Sequence, residues 1–134
     1  MTEQAVAQWL RQNDNFLILT HIRPDGDTLG CGSALCQGLE KLGKTAYMLR
    51  NPGGLRNFEG FLTFRWAPED YVPEHVIALD IATEDLLPQG AHQQYRGKVE
   101  VCVDHHPSNE GYAQELCLNS SASACGEILY RICR

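Results

Sequence analysis

The sequence lacks a cluster of lysine or arginine residues, and it lacks an apolar run long enough to cross a membrane. Its 17 acidic residues outnumber its 11 basic ones, which gives a formal net charge of -6. Binding to duplex DNA through charge needs several cations on one face, so duplex DNA is not an expected partner. No signal peptide is visible either, and we expect no membrane association.

The sequence also lacks a C-x-x-C pair, although it contains six cysteines. Most of them lie inside apolar segments, which is not expected of a zinc ribbon or a disulfide framework. The pattern is typical of core thiols in a reducing compartment, and we therefore expect a cytoplasmic protein. The length of 134 residues is usual for one domain with a substantial core.

Apolar segments with the length of buried strands cover residues 16–19, 45–49, 76–80, 99–103 and 113–118. Helical spacing is found between them and at both ends of the chain, with apolar stripes at residues 5, 6, 9 and 10 and at residues 125, 128, 129 and 132. Alternating strands and helices predict an α/β fold. We expect a three-layer, Rossmann-like domain with a mainly parallel sheet, and an active site at the carboxyl ends of its strands.

Three further local patterns give testable expectations. Leu35, Leu39 and Leu42 recur at i, i+4 and i+7, which predicts one buried face of a helix over residues 29–42. Gly43 follows where a glycine often ends a helix. Thr83 is expected to cap another helix, because two acidic residues follow it in the favoured first turn.

The segment 55–66 is rich in aromatic residues but has no clean period, and it is expected to be helix followed by irregular chain. Its aromatic residues could stack on the bases of a single-stranded ligand. No basic residues are regularly interleaved with them, so a place in the core is favoured. They are Phe58, Phe61, Phe64 and Trp66.

An acidic loop directly follows the first predicted strand and reads H-I-R-P-D-G-D-T-L-G over residues 21–30. Pro24 and Gly26 favour a turn, in which His21, Asp25 and Asp27 can point into one small volume. Crowded carboxylates repel each other, and a divalent cation relieves that repulsion. The alternative is that the aspartates cap the next helix and bind nothing.

Two more predicted strands end in residues that commonly bind metals. Asp80 closes one strand, and Asp104, His105 and His106 follow another. In a parallel sheet these ends converge with the acidic loop. Imidazole and carboxylate ligands suit manganese, iron or zinc, and two such ions can share a hydroxide that attacks a phosphorus atom. Taken singly, Asp80 could be a helix cap and either histidine a core residue.

These motifs resemble the first three motifs of the DHH phosphoesterase superfamily. The matching segments are T-H-I-R-P-D-G-D-T-L-G, V-I-A-L-D and V-D-H-H-P-S-N, and the serine-rich turn before G-E-I-L-Y resembles the fourth region. Within the superfamily, the chain is most similar to the group of bifunctional oligoribonucleases and 3'-phosphoadenosine 5'-phosphate (pAp) phosphatases. Those proteins degrade very short RNAs from an end and remove the 3' phosphate of that nucleotide, typically with manganese.

The resemblance implies two Mn²⁺ ions, which Mg²⁺, Co²⁺ or Zn²⁺ could replace. It implies that His21 and Asp25 bind one ion, that Asp27 and His105 bind the other, and that Asp80 bridges them. It also implies catalytic roles for two further residues. His106 would face the substrate phosphate, and Asp104 would orient the neighbouring histidine.

Ser108 and Asn109 are expected to hold the shape of the loop after the D-H-H motif. No substrate-binding residue is assigned.

Members of the superfamily are about twice as long as this chain and carry two features that it lacks. One is a further aspartate after the fourth region, and the other is a C-terminal domain with a glycine- and histidine-rich motif. The resemblance therefore implies that residues 1–134 are an N-terminal catalytic domain without its substrate-binding domain. It makes no prediction of oligomeric state.

The function expected from this resemblance is metal-dependent hydrolysis of short single-stranded RNA or of nucleotide 3' phosphates, including pAp to AMP. One alternative is a DHH hydrolase for pyrophosphate, cyclic dinucleotides or longer single strands. Another is a metal-binding fragment that does not turn over substrate.

Overall fold

The computed structural model describes residues 1–53, 58, 60–88 and 90–134. Four α-helices are formed by Glu3–Gln12 (α1), Gly26–Lys41 (α2), Ala91–Tyr95 (α3) and Cys125–Cys133 (α4). Five strands are formed by Phe16–Leu19 (β1), Ala46–Met48 (β2), His75–Leu79 (β3), Val101–Asp104 (β4) and Glu115–Leu118 (β5). A short 3-10 helix covers Glu84–Leu86.

The five strands form one parallel sheet in the order β2-β1-β3-β4-β5. From β1 the chain passes to β2 on one side, and it then returns to place β3 on the other side of β1. This reversal leaves a crevice at the carboxyl ends of β1 and β3, where ligands bind in sheets of this kind. The predicted parallel sheet is confirmed, and β5 lies at one of its edges.

Helices cover both faces of the sheet, which gives the predicted three layers. Phe16 and Ile18 of β1 point to the face that is packed by α1, α2 and α4. Leu17 and Leu19 point to the other face, where α3 and the residues around the 3-10 helix lie. All four side chains are at most 1% exposed. A strand that is buried on both faces needs a continuous apolar run, which explains the sequence F-L-I-L.

Helix α2 begins at Gly26, three residues earlier than predicted. Asp25 caps it, because its Oδ1 accepts a hydrogen bond of 3.0 Å from the backbone N of Thr28. The prediction that Leu42 belongs to the buried face of this helix is wrong, because its side chain is 60% exposed. The helix has already ended at Lys41, and Gly43 turns the chain away with a φ of +77°, as predicted for a terminating glycine.

The helix expected after Thr83 is only a 3-10 turn. Thr83 does cap it, with its side chain accepting from the backbone N of Asp85 at 3.4 Å. Leu87 then adopts an extended conformation, because the ring of Pro88 disfavours helical backbone angles in the residue before it, and the turn ends there.

Part of the aromatic segment 55–66 lies outside the described residues, namely 55–57 and 59. Residues 60–66 are turn and irregular chain, with Trp66 bridged to Met48. Phe58, Phe64 and Trp66 pack against the core as predicted. Phe61 is the exception, because it is 84% exposed.

All six cysteines are free thiols, and five of them are buried, as expected for core residues. Cys133 is the exposed one. No helix in the described part of the chain has both the length and the apolar character needed to cross a bilayer.

Two glycines of α2 differ in their surroundings and give a matched test of packing. A methyl group on Gly32 would lie 2.7 Å from Met48 Cε, whereas one on Gly38 would meet no atom of the described residues within 4 Å. Gly38→Ala should stabilise the fold by about 0.5–1 kcal/mol, because alanine favours a helix. Gly32→Ala should destabilise it by about 1 kcal/mol, because it overpacks the contact with β2.

The measurement is the free energy of unfolding from urea titration of both variants and the parent chain. Equal stabilisation by both alanines would contradict the close contact between α2 and β2.

Candidate metal centre

The residues with metal-binding side chains meet at the carboxyl edge of the three central strands. His21 follows β1, Asp80 directly follows β3, and His105 and His106 follow β4. Because β1 and β3 are neighbours, His21 and Asp80 lie on the two sides of the crevice at the reversal of strand order. The sheet therefore brings together residues that are far apart in sequence.

Asp80 is the most constrained residue of this group. It has a φ of +65°, a left-handed conformation that costs a residue with a side chain about 1–3 kcal/mol. Its backbone N donates to Val103 O of β4 at 2.9 Å, which holds it there. The side chain is only 2% exposed, and its Oδ1 has no hydrogen-bond partner among the described residues. A buried carboxylate oxygen without a partner is costly unless a cation or a proton neutralises it.

Three imidazoles surround the Asp80 carboxylate without satisfying it. His105 Nε2 lies 3.3 Å and His106 Nδ1 3.5 Å from Asp80 Oδ1, and His21 Nε2 lies 3.8 Å from Oδ2. Burial raises the pKa of Asp80 to about 7, and repulsion from Asp27 and Asp25 adds to the rise. Nearby His106 and His21 oppose it.

One group of candidate ligands consists of His21, Asp25 and Asp80, whose ligand atoms all lie within 4.8 Å of one another. His21 Nδ1 is 2.8 Å from Ile22 O. Since a carbonyl oxygen only accepts, Nδ1 carries the proton and Nε2 turns its lone pair toward the carboxylates. Nε2 is 3.5 Å from Asp25 Oδ1. This donor set fits a divalent cation.

Asp25 takes part in two interactions at once. The same Oδ1 that faces His21 also caps α2 through the N–H of Thr28. Each carboxylate oxygen has two lone pairs, so capping and metal binding are compatible. The sequence left open whether Asp25 caps a helix or binds a cation, and the structure allows it to do both.

A second group consists of Asp80, Asp104, His105 and His106, again with ligand atoms within 4.8 Å of one another. Asp80 belongs to both groups, which is the position that a bridging residue needs. Asp27, the ligand expected beside His105, lies outside this group, although its Oδ2 is 3.7 Å from His105 Nε2. The expected ligands thus all lie near Asp80. Asp104, which was expected only to orient a neighbouring histidine, is itself a member of the second group.

Asp104 is fully buried, and both of its carboxylate oxygens accept hydrogen bonds. Oδ1 accepts from His106 Nδ1 at 2.7 Å and from the backbone N of His105 at 2.8 Å, while Oδ2 accepts from Asn109 Nδ2 at 2.8 Å. These contacts suit a residue that orients His106 better than one that binds a cation. Burial lowers the pKa of His106, but the hydrogen bond with Asp104 and the charge of Asp80 outweigh it, so the pKa is raised.

The two residues expected to shape the D-H-H loop behave differently. Asn109 makes hydrogen bonds that stabilise the loop. Its Nδ2 donates to Asp104 Oδ2, and its Oδ1 accepts from the backbone N of Gly111 at 2.8 Å. Ser108 is exposed, and its side chain makes no hydrogen bond within the described part of the chain.

Two buried polar residues that the sequence did not single out hold His21 in place. Thr28 Oγ1 donates to Leu79 O at 2.9 Å and accepts from the backbone N of His21 at 3.4 Å. Asn51 Nδ2 donates to Thr20 Oγ1 and to His21 O, both at 2.8 Å. In the sequence Asn51 looks like an ordinary loop residue. Its supporting role is visible only in the structure, where it is 3% exposed.

Comparison with known proteins gives consistent results. The DHH family, N-terminal domain, matches residues 15–134. The bifunctional oligoribonuclease and PAP phosphatase NrnA of Bacillus subtilis (strain 168) is 27% identical over 125 residues, which cover 89% of this chain and 38% of that protein. The crystal structure of an exopolyphosphatase-related protein from Bacteroides fragilis has a TM-score of 0.77 over 97% of this chain and 42% of its own, at 17% identity. This chain therefore spans less than half of either relative.

The buried charge of Asp80 predicts how the metal-free fold responds to pH. Its pKa is higher in the folded state than the ordinary 3.8, so folding is favoured by the protonated form. The stability from this group is complete below about pH 4 and is lost as pH rises through about 7. Asp80→Asn cannot ionise, and in chelator-treated protein it should be roughly 1–3 kcal/mol more stable than the parent at pH 8.

The measurement is urea unfolding of both proteins at pH 4 and at pH 8, with Asp70→Asn as the control at an exposed carboxylate. The advantage of Asp80→Asn should nearly vanish at pH 4. An advantage that is the same at both pH values would show that the charge of Asp80 is not the cause.

Proposed function

Since the chain belongs to the DHH family, we propose that it is the metal-dependent catalytic domain of a phosphoesterase. The observation that supports this most directly is the Asp80 carboxylate. It is buried, its Oδ1 meets no hydrogen-bond donor in the part of the chain that the structure describes, and it is shared by two groups of imidazole and carboxylate side chains. Such donors suit Mn²⁺ as the resident ion, with Mg²⁺, Co²⁺ or Zn²⁺ as substitutes.

We assign the ligands in two sets that share one residue. His21, Asp25 and Asp80 would hold one cation, and Asp27, His105 and Asp80 would hold the other. Bound divalent cations supply positive charge for phosphoryl oxygens and lower the pKa of water at the site. The protein's part would be to keep five side chains close together, three of them after β1, β3 and β4 and two at the start of α2.

His106 is the residue proposed to meet the substrate. Its side chain is 42% exposed, and its Nδ1 is held by Asp104. Nε2 is therefore the atom available to a phosphate oxygen. The raised pKa of His106 favours the protonated ring, which can stabilise negative charge on the phosphate and on the leaving oxygen. Asp104 fixes the direction of that ring and does not itself reach the substrate.

The proposed substrates are short oligoribonucleotides and nucleotide 3' phosphates such as pAp. Similarity to NrnA, which is named as a bifunctional oligoribonuclease and PAP phosphatase, supports this choice. The net charge of -6 also disfavours long polyanions. The proposal that residues 1–134 form the N-terminal catalytic domain is consistent with a match to 38% of that relative.

A substrate panel tests the proposed function. The chelator-treated chain, with and without added Mn²⁺, is incubated with a dinucleotide, pAp, pyrophosphate and a cyclic dinucleotide. We expect slow, Mn²⁺-dependent hydrolysis of the first two, slower than by a full-length relative. Hydrolysis of pyrophosphate or the cyclic dinucleotide alone would redirect the assignment to another DHH activity. Mn²⁺ binding without any turnover would favour a non-catalytic fragment.

His106→Ala separates metal binding from catalysis. The imidazole is assigned to the phosphate and not to a cation, so Mn²⁺ affinity should stay within about twofold while turnover falls about 10²- to 10³-fold. Calorimetric titration measures the first quantity and dinucleotide hydrolysis the second. His92→Ala, a histidine outside the site and paired with Asp85, serves as the control and should change neither. Loss of Mn²⁺ from His106→Ala would instead make His106 a ligand.

A further inference from the structure

The carboxylate of Asp27 meets the start of α4, although the two are far apart in sequence. Its Oδ2 accepts from the backbone N of Cys125 at 3.0 Å, and its Oδ1 accepts from the backbone N of Gly126 at 2.9 Å. Ala124, at the N-cap position, has no side chain that could satisfy these groups, so Asp27 of α2 caps α4 instead.

Oδ1 of Asp27 has further close neighbours on both helices. Cys31, one turn later in α2, has its Sγ 3.6 Å from this oxygen and can donate to it. Gly126 packs against the same groups, since a methyl group there would stand 3.4 Å from this oxygen and 3.9 Å from Cys31 Sγ. Oδ1 is therefore enclosed on the side of α4.

The other oxygen, Oδ2, is the one that faces the metal centre. It lies 3.7 Å from His105 Nε2, and the unpartnered Asp80 Oδ1 is 3.3 Å from the same nitrogen. Two N–H donors fix both oxygens of one carboxylate, so the side chain cannot rotate without breaking a hydrogen bond. The partial positive charge at a helix N-terminus also favours a carboxylate there.

We propose that the backbone of Cys125 and Gly126 is a positioning element that aims Asp27 at the cation shared with His105 and Asp80. The inference rests on the proposed function, in which Asp27 is a ligand. Gly126 is a positioning residue and does not touch the cation. Helix α4 thereby sets the affinity of one of the two metal positions, and it leaves the position of His21 and Asp25 unaffected.

Gly126→Ala tests this proposal through Mn²⁺ binding, which needs no turnover. The added methyl group would lie 3.4 Å from Asp27 Oδ1, in direct contact with the carboxylate on the side of α4. In calorimetric titration of the chelator-treated chain we expect two binding steps, one of them weakened about threefold and the other unchanged. The midpoint of thermal unfolding should not fall, because alanine is the better helix former.

Two control variants distinguish positioning from general damage to a helix. Gly30→Ala makes the same substitution in α2 at a place with nothing within 4 Å, and it should leave both steps unchanged. Ser123→Ala removes the hydroxyl that donates to Glu127 Oε2 at 3.1 Å, which loosens the start of α4 without touching Asp27. It should lower thermal stability slightly and leave Mn²⁺ binding unchanged.

Cys31→Ala is a second variant that changes the surroundings of the same carboxylate, and it can be measured if Gly126→Ala does not fold. It removes the thiol donor to Asp27, and it should weaken the same single step about threefold, as expected for one weak hydrogen bond. The proposal is wrong if Gly126→Ala or Cys31→Ala binds both ions like the parent, or if Ser123→Ala weakens binding as much. A parent chain that binds no Mn²⁺ would overturn the proposed function and the ligand role of Asp27 together.

Discussion

A carboxylate buried at the end of a central strand is the constraint that organises this molecule. Asp80 is kept out of water, in a left-handed conformation, by its bond to β4 and by the walls of the crevice. Such a group is stable only when positive charge or a proton is close. The neighbouring imidazoles of His21, His105 and His106 surround it, and the crevice places all of them at the edge where parallel strands of an α/β sheet present ligands.

Four aspartates share this edge, and their surroundings separate them. Asp25 is mostly exposed and caps α2, whereas Asp27 is fixed by the backbone of α4. Asp104 accepts hydrogen bonds on both oxygens, and Asp80 keeps one oxygen that no donor among the described residues reaches. One residue type thus serves as a cap, a fixed ligand candidate, an orienting group and the shared centre. In clusters of carboxylates, the surroundings of each group generally decide its protonation and its role.

Local patterns in the sequence were sufficient to predict the parallel α/β fold and the edge of the sheet at which aspartate and histidine side chains meet. Apolar runs gave the strands, and strand ends that carry Asp and His gave the edge at which they meet. The errors concern contacts that depend on packing across the chain. Leu42 has helical spacing but lies past the end of its helix, and Phe61 is aromatic but turned outward. The support of His21 by Asn51, and of Asp27 by α4, joins segments about 30 and 98 residues apart, which no local pattern encodes.

The order of the strands has a consequence for how the site can come apart. His21, Asp80 and His105 follow β1, β3 and β4, which are the three inner strands, whereas β2 and β5 form the edges. Partial opening in proteins begins at edges and ends, and central strands exchange their amide hydrogens last. Fraying of β2 or β5 leaves the three inner strands paired. Separation of His21, Asp80 and His105 therefore belongs to the rarest opening events of the native state, and these three side chains stay together through most of its fluctuations.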